Sequence, residues 1–177
     1  MYDFDKGIPR PDHTYFNSGA LGCYLGHIDI YKKAIEQNLD YIVIFEDNVM
    51  FDVNFKKELN DVLKRIPSDF DAVFFHHWYY HSNKIIKCDK KIDKLHFINS
   101  TKCYLINVKS IKKYFDLFFP IENHIDGNYE KLIYHGANVY LIKLNKLKIN
   151  TVGGSMINHT GVINNGKRFL YFKEFNT

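Results

Sequence analysis

Residues 41–51 read Tyr41-Ile42-Val43-Ile44-Phe45-Glu46-Asp47-Asn48-Val49-Met50-Phe51, an uninterrupted β-rich run that turns acidic for three residues and then apolar again. Five residues without polar alternation are the pattern of a strand covered on both faces, which places it centrally in a sheet. In an open α/β sheet the ligand crevice lies beyond the carboxyl ends of the strands, so Glu46-Asp47-Asn48 falls where chemistry is expected. Carboxylates ending a buried strand are costly unless something pairs with them, and a divalent ion carrying a diphosphate is one such partner. An ordinary acidic strand-to-loop turn is the other reading.

Working outward, Leu21, Leu25, Ile28, Tyr31, Ala34 and Ile35 recur at helical spacing and Asn38 is a natural stop, so Gly19 to Gln37 is predicted as an amphipathic helix. Downstream, Phe55, Leu59, Val62, Leu63 and Ile66 mark a second helix ending at Pro67. Ala72-Val73-Phe74-Phe75 is another buried-type strand, and 82–94 a polar loop or small hairpin. Cys103 to Ile106 reads as a strand, Ser110 to Phe119 as a helix closed by Pro120, Asn128 to Tyr134 as a short helix closed at Gly136, and Val139 to Ile142 as a strand. Strands alternating with helices in this way predict an α/β fold with a mostly parallel central sheet. Neither a repeat nor a second core is visible, so residues 1–177 read as one domain, with 1–18 an irregular arm and 150–177 a loop or lid.

Composition narrows the function. A 46% hydrophobic content with fifteen Phe and thirteen Tyr predicts an aromatic-rich core, with rings to spare for a ligand groove. The net charge of +4 comes from lysines such as Lys56, Lys57, Lys90, Lys91, Lys112 and Lys113 scattered among acids. No dense basic stripe with interleaved aromatics is present, which argues against nucleic acid; the excess suits either an anionic small ligand or a solvated surface. Cys23, Cys88 and Cys103 are odd in number and far apart, without metal-type pairing, so a reducing compartment is the default. No run approaches about 20 apolar residues and the start lacks the apolar centre of a signal peptide, so a cytoplasmic protein without a membrane span is expected.

Other candidate site residues fall at strand ends and in loops. His76, His77 and His81 end the second buried strand, but neighbours on a strand point to opposite faces, which disfavours a shared metal. Trp78, Tyr79 and Tyr80 can stack on a sugar or base, or pack in the core. Asp126 is either a helix N-cap or a general base. Ser155 and His159 lie in the tail, where His159 can complete a metal shell or clamp a phosphate on lid closure, or simply be an exposed loop residue.

Taken together, the chain resembles glycosyltransferase family 25, which contains lipooligosaccharide and procollagen galactosyltransferases. Gly19-Ala20-Leu21-Gly22-Cys23-Tyr24-Leu25-Gly26-His27 is similar to the family's GCxxSH helix, with Gly26 in place of serine. YIVIFEDNVMF resembles its strand ending in EDD, and Asp71 to Phe75 its next strand. Thr101 to Ile106 with the following helix, and Pro120-Ile121 with Ile125-Asp126, match later elements in the same order, so the similarity spans roughly 19–158. The resemblance implies a GT-A-like, Rossmann-like α/β/α sandwich, a UDP-hexose donor (galactose or glucose), a glycan or hydroxylated-protein acceptor, and Mn²⁺ or Mg²⁺ held at Glu46, Asp47 and Asn48. His159 joins that metal set by analogy with type A folds. Asp126 takes the place of a catalytic aspartate, with His27, His76, Trp78, Tyr79 and Ser155 on the donor and acceptor.

Two departures stand out. Asn48 replaces an aspartate, which keeps an oxygen ligand but removes a charge and weakens metal binding. Only 18 residues precede the Gly-Cys motif, so the fold is expected to be reduced at its amino terminus, with much of the uridine pocket missing. A sheet edge left open by a missing first strand can support a homodimer. The alternative to a working transferase is a non-catalytic remnant that binds a glycan or a protein.

Overall fold

The computed structural model describes residues 2–3, 8–9, 18–77, 85–89, 92–142, 144, 147–149 and 170–171. In chain order the elements are β1 (Tyr2–Asp3), β2 (Ile8–Pro9), α1 (Ser18–Glu36), β3 (Tyr41–Phe45), β4 (Val49–Phe51), α2 (Phe55–Leu63), β5 (Ala72–Phe74), β6 (Ile85–Asp89) and β7 (Ile92–Leu95). They continue with β8 (Cys103–Asn107), α3 (Val108–Tyr114) running into a 3-10 turn (Phe115–Phe118), α4 (Ile125–Tyr134), β9 (Val139–Ile142), β10 (Leu147–Ile149) and β11 (Leu170–Tyr171).

Several boundaries follow directly from local chemistry. Asn38 adopts a left-handed φ of 51°, and the Asn38 and Leu39 amides donate to the carbonyls of Ile35 and Ala34, closing α1 with a Schellman motif. The same closure ends α4, where Gly136 at φ 90° and Ala137 donate to Ile133 and Leu132. The Asn107 side chain caps α3 by accepting from the Lys109 amide at 3.0 Å. Of the two readings of 82–94, the hairpin forms, as β6 pairing with β7. The expected irregular arm holds the β1–β2 pair, and Leu170 and Tyr171 of the expected tail form a strand.

The main sheet has the order β11-β3-β8-β5-β9-β7-β6, and of its pairings only β5–β9 is parallel. This corrects the expectation of a mostly parallel sheet. Between β5 and β8 the described chain contains a hairpin rather than a crossover helix, so β8 enters running against β3 and β5 and separates them. β3 is also not central: β11 lies outside it, so β3 stands next to the sheet's edge. Its unbroken apolar run reports two covered faces, not a place in the strand order.

Both faces are indeed covered. Ile42 and Ile44 of β3, with Phe74, Tyr104 and Leu141, pack under α1, α3 and α4; Val43, Phe45, Val73, Leu105 and Ile142 face Leu59 and Val62 of α2. Ile44, Phe74 and Tyr104 have no exposed surface, and full burial of such a side chain contributes about 1.5–3 kcal/mol.

The mixed sheet has a direct consequence for the site. β3, β5 and β9 run one way and β8 and β7 the other, so the carboxyl ends of the first three share one end of the sheet with the amino ends of the last two. Residues following Phe45 and Phe74 therefore meet residues preceding Cys103.

Candidate functional site

The acidic triplet leaves β3 at this shared end. The Glu46 amide donates to the Lys102 carbonyl at 2.8 Å and the Val49 amide to the Glu46 carbonyl at 3.1 Å, which turns the chain tightly through Asp47 and Asn48. The Thr101 hydroxyl donates to Glu46 Oε1 at 3.3 Å, so the segment before β8 helps to orient the carboxylate. Asp47 is exposed, whereas Asn48 is half-buried, and its amide oxygen is shielded from solvent with no hydrogen-bond partner among the described residues. A shielded oxygen of this kind is costly unless a donor or a cation meets it. Glu46 and Asn48 therefore present hard oxygen atoms of the type that suits Mn²⁺ or Mg²⁺.

His76 and His77 arrive from β5 at the same end and diverge, as expected for strand neighbours. His76 Nδ1 lies 3.0 Å from the Ser100 hydroxyl, and His77 Nε2 lies 3.2 Å from the Phe97 carbonyl. Burial, with Lys102 and His77 nearby, lowers the His76 pKa to about 4, so its ring is neutral near pH 7. A neutral ring offers an anion a hydrogen bond but no charge.

His27 lies in the protein interior. It has no exposed surface, and Nδ1 lies 2.6 Å from the Tyr104 hydroxyl, which makes it part of a buried hydrogen-bonded chain. The Tyr104 hydroxyl is 2.5 Å from that of Tyr31, which is 2.6 Å from that of Tyr129, tying α1 to β8 and α4. Tyr24 donates to the Phe118 carbonyl at 2.6 Å and accepts from Asn128. Burial raises the pKa of all four tyrosines, so their hydroxyls stay protonated, and mutual hydrogen bonding offsets their desolvation.

Asp126 is not the N-cap of α4; His124 is. The helix begins three residues earlier than its apolar spacing suggested, placing Asp126 in the first turn, where Oδ1 accepts from the Gly127 amide at 2.9 Å and the carboxylate complements the helix dipole. Trp78, Tyr79, Ser155 and His159 lie outside the described residues.

Reading the sequence alone missed two partners of this end of the sheet. The Ser100-Thr101-Lys102 segment, although Thr101 and Lys102 open one of the family-like stretches, carries no sign of a place at the site, which becomes visible only through the reversed β8. Cys23, one turn of α1 before His27, is the second: ligand atoms of Cys23, His27 and Glu46 all lie within 4.8 Å of one another. The i, i+4 spacing could have signalled that Cys23 and His27 share a helix face. That this face meets Glu46 follows only from α1 packing back along β3.

The profile of "Glycosyltransferase family 25 (LPS biosynthesis protein)" matches residues 12–152, a span that includes the Cys23–His27 helix, the acidic triplet and Asp126. This chain belongs to glycosyltransferase family 25. Among family relatives, a Haemophilus influenzae protein whose name proposes a glycosyltransferase is 27% identical over 119 residues, covering 64% of this chain and 41% of that protein. Procollagen galactosyltransferase 1-A of Xenopus laevis is 34% identical over 59 residues, 32% of this chain and 10% of the relative. Inactive glycosyltransferase 25 family member 3 of Mus musculus is 33% identical over 58 residues, 33% of this chain and 10% of the relative. The matches thus span less than half the length of these curated relatives, and the family includes members named as transferases and members named as inactive. No helix among the described residues is long and apolar enough to cross a membrane.

Proposed function

We propose that this family 25 chain is a glycosyltransferase with a GT-A-like fold that moves a hexose, galactose or glucose, from a UDP-sugar to a hydroxyl of a glycan or protein. The observation that carries the reading is the acidic end of β3. Glu46 is oriented by Thr101, Asp47 is open to solvent, and Asn48 holds a shielded amide oxygen with no described partner, all at the sheet end where α/β folds bind ligands.

In this reading Glu46, Asp47 and Asn48 hold Mn²⁺ or Mg²⁺, with His159 as a further ligand; when bound, the ion supplies positive charge that neutralises the UDP leaving group. Asp47 approaches the donor from the solvent side. His76, neutral and backed by Ser100, hydrogen-bonds donor or acceptor without adding charge. Asp126 accepts the acceptor hydroxyl's proton as that oxygen attacks the anomeric carbon. Trp78 and Tyr79 stack on the sugar or the base, and Ser155 contributes a hydroxyl to the bound donor.

Calorimetric titration of UDP with and without Mn²⁺, followed by donor hydrolysis, tests this. Metal-dependent UDP binding abolished by Asp47→Ala is expected. Failure of any nucleotide sugar to bind in millimolar Mn²⁺ would favour the second reading, a non-catalytic family member that binds a glycan or protein. Asn48, with one negative charge fewer than aspartate, and the relatives named inactive support that alternative.

A further inference from the structure

The interior beside the acidic triplet contains a second, chemically different ligand set. α1 ends four residues before β3 begins and packs back along it, so the amino-terminal half of the helix lies over the carboxyl end of the strand. Cys23 and His27, one turn apart, consequently face Glu46, and the three ligand atoms fall within 4.8 Å of one another. Tetrahedral ligands with bonds of about 2.0–2.3 Å stand about 3.3–3.8 Å apart, so closing such a shell needs a contraction on the order of 1 Å.

We infer that Cys23, His27 and Glu46 form a binding site for a soft or borderline transition-metal ion of the Zn²⁺ class. A thiolate and an imidazole are poor partners for Mg²⁺ or Mn²⁺, which prefer carboxylate, carbonyl and water oxygens, and good ones for Zn²⁺. Three protein ligands of this kind leave one position open.

The surroundings provide a separate reason. Metal-bound histidines commonly use their other ring nitrogen in a fixed hydrogen bond, and ligating carboxylates are themselves hydrogen-bonded. His27 Nδ1 lies 2.6 Å from the Tyr104 hydroxyl, so the ring ligates through Nε2, and Thr101 donates to Glu46 Oε1 at 3.3 Å. Proton accounting along the buried chain agrees. With Nε2 on the ion, Nδ1 carries the proton and donates to Tyr104, Tyr104 donates to Tyr31 and Tyr31 to Tyr129, and no donor faces another donor. The tyrosine chain thus accommodates the tautomer that metal binding requires.

The site uses neither Asp47 nor Asn48 and does not rest on the transferase reading, although it shares Glu46 with the proposed Mn²⁺ or Mg²⁺ set, so that the two ions compete for that carboxylate. Cobalt(II) titration of the full chain under non-thiol reducing conditions tests it directly, because Co²⁺ bound to a thiolate gives a near-ultraviolet charge-transfer band that oxygen-only sites lack. One equivalent per chain with that band, displaced by Zn²⁺, is expected. Cys23→Ser should abolish the band and weaken Zn²⁺ binding at least 100-fold, while Asp47→Ala should leave both unchanged. The His27 ring is fully buried and its removal can unfold the chain, so Tyr104→Phe serves as the second variant; the band should persist with affinity reduced about 10–100-fold. A folded wild-type protein without the band overturns the assignment. So does a band that survives Cys23→Ser and disappears in Cys103→Ser, or Zn²⁺ binding lost in Asp47→Ala.

Discussion

Acid stability offers a direct check on the geometry at the end of β5. Burial is the largest cause of the low His76 pKa, followed by the Lys102 ammonium and then His77, and together they bring it from 6.5 to about 4. The folded protein keeps the ring neutral while the unfolded chain takes up a proton below about 6.5, so this contribution is fully present above that pH and is lost as pH falls toward 4. The ring is only partly buried, so solvent screening reduces the effect of that shift, and the loss comes to about 1 kcal/mol by pH 5 and about 1.5 kcal/mol by pH 4. His76→Gln removes the titration and, near pH 7.5, the hydrogen bond to Ser100, which costs about 1 kcal/mol. In urea melts the variant should therefore be slightly less stable than wild type near neutrality, about equal to it at pH 5 and slightly more stable toward pH 4. Lys102→Gln should move the His76 titration part of the way back toward its ordinary value. Stability curves for wild type and His76→Gln that stay parallel from pH 7.5 to 4.5, or a His76 ring proton titrating near 6.5 by NMR, would refute the burial argument.

Other substitutions test different parts of the structure. Asp71 accepts from the Ser110 hydroxyl at 2.5 Å and the Asn138 amide at 2.6 Å, tying α3 and the start of β9 to the start of β5; Asp71→Ala should cost about 2–4 kcal/mol in denaturant melts, mostly by stranding these donors. Gly136 sits at φ 90° with nothing within 4 Å of an added Cβ, so Gly136→Ala should cost about 1–2 kcal/mol from backbone strain alone, and Tm should fall without a change in near-UV circular dichroism. Phe74 has no exposed surface and stacks on Tyr104 at 5.0 Å between ring centroids; Phe74→Ala should destabilise by about 3–5 kcal/mol and loosen the buried tyrosine chain, seen as faster exchange of its hydroxyl protons.

The parts of the fold readable in the sequence are those governed by local rules. Two helix ends could be placed from Asn38 and Gly136 because a left-handed φ is inexpensive for only a few residue types, and β3 and β5 from unbroken apolar runs because covered faces leave no polar alternation. The motif order was sufficient for the family, and the apolar run of β3 was enough to place Glu46-Asp47-Asn48 just past a strand end. Strand direction was beyond local pattern. Whether β8 runs with or against β3 depends on what connects it to β5, and a lysine-rich stretch that forms a hairpin carries no periodicity to announce the reversal. That reversal brings Ser100, Thr101 and Lys102 against Glu46 and His76. The approach of Cys23 and His27 to Glu46 is likewise tertiary, since it requires a helix of 19 residues to fold back over a strand of five. Sequence determined which groups are available and which face of each element they occupy; packing decided which of them meet, because contact between distant segments is set by the sheet's order and direction, information that no short window of residues contains.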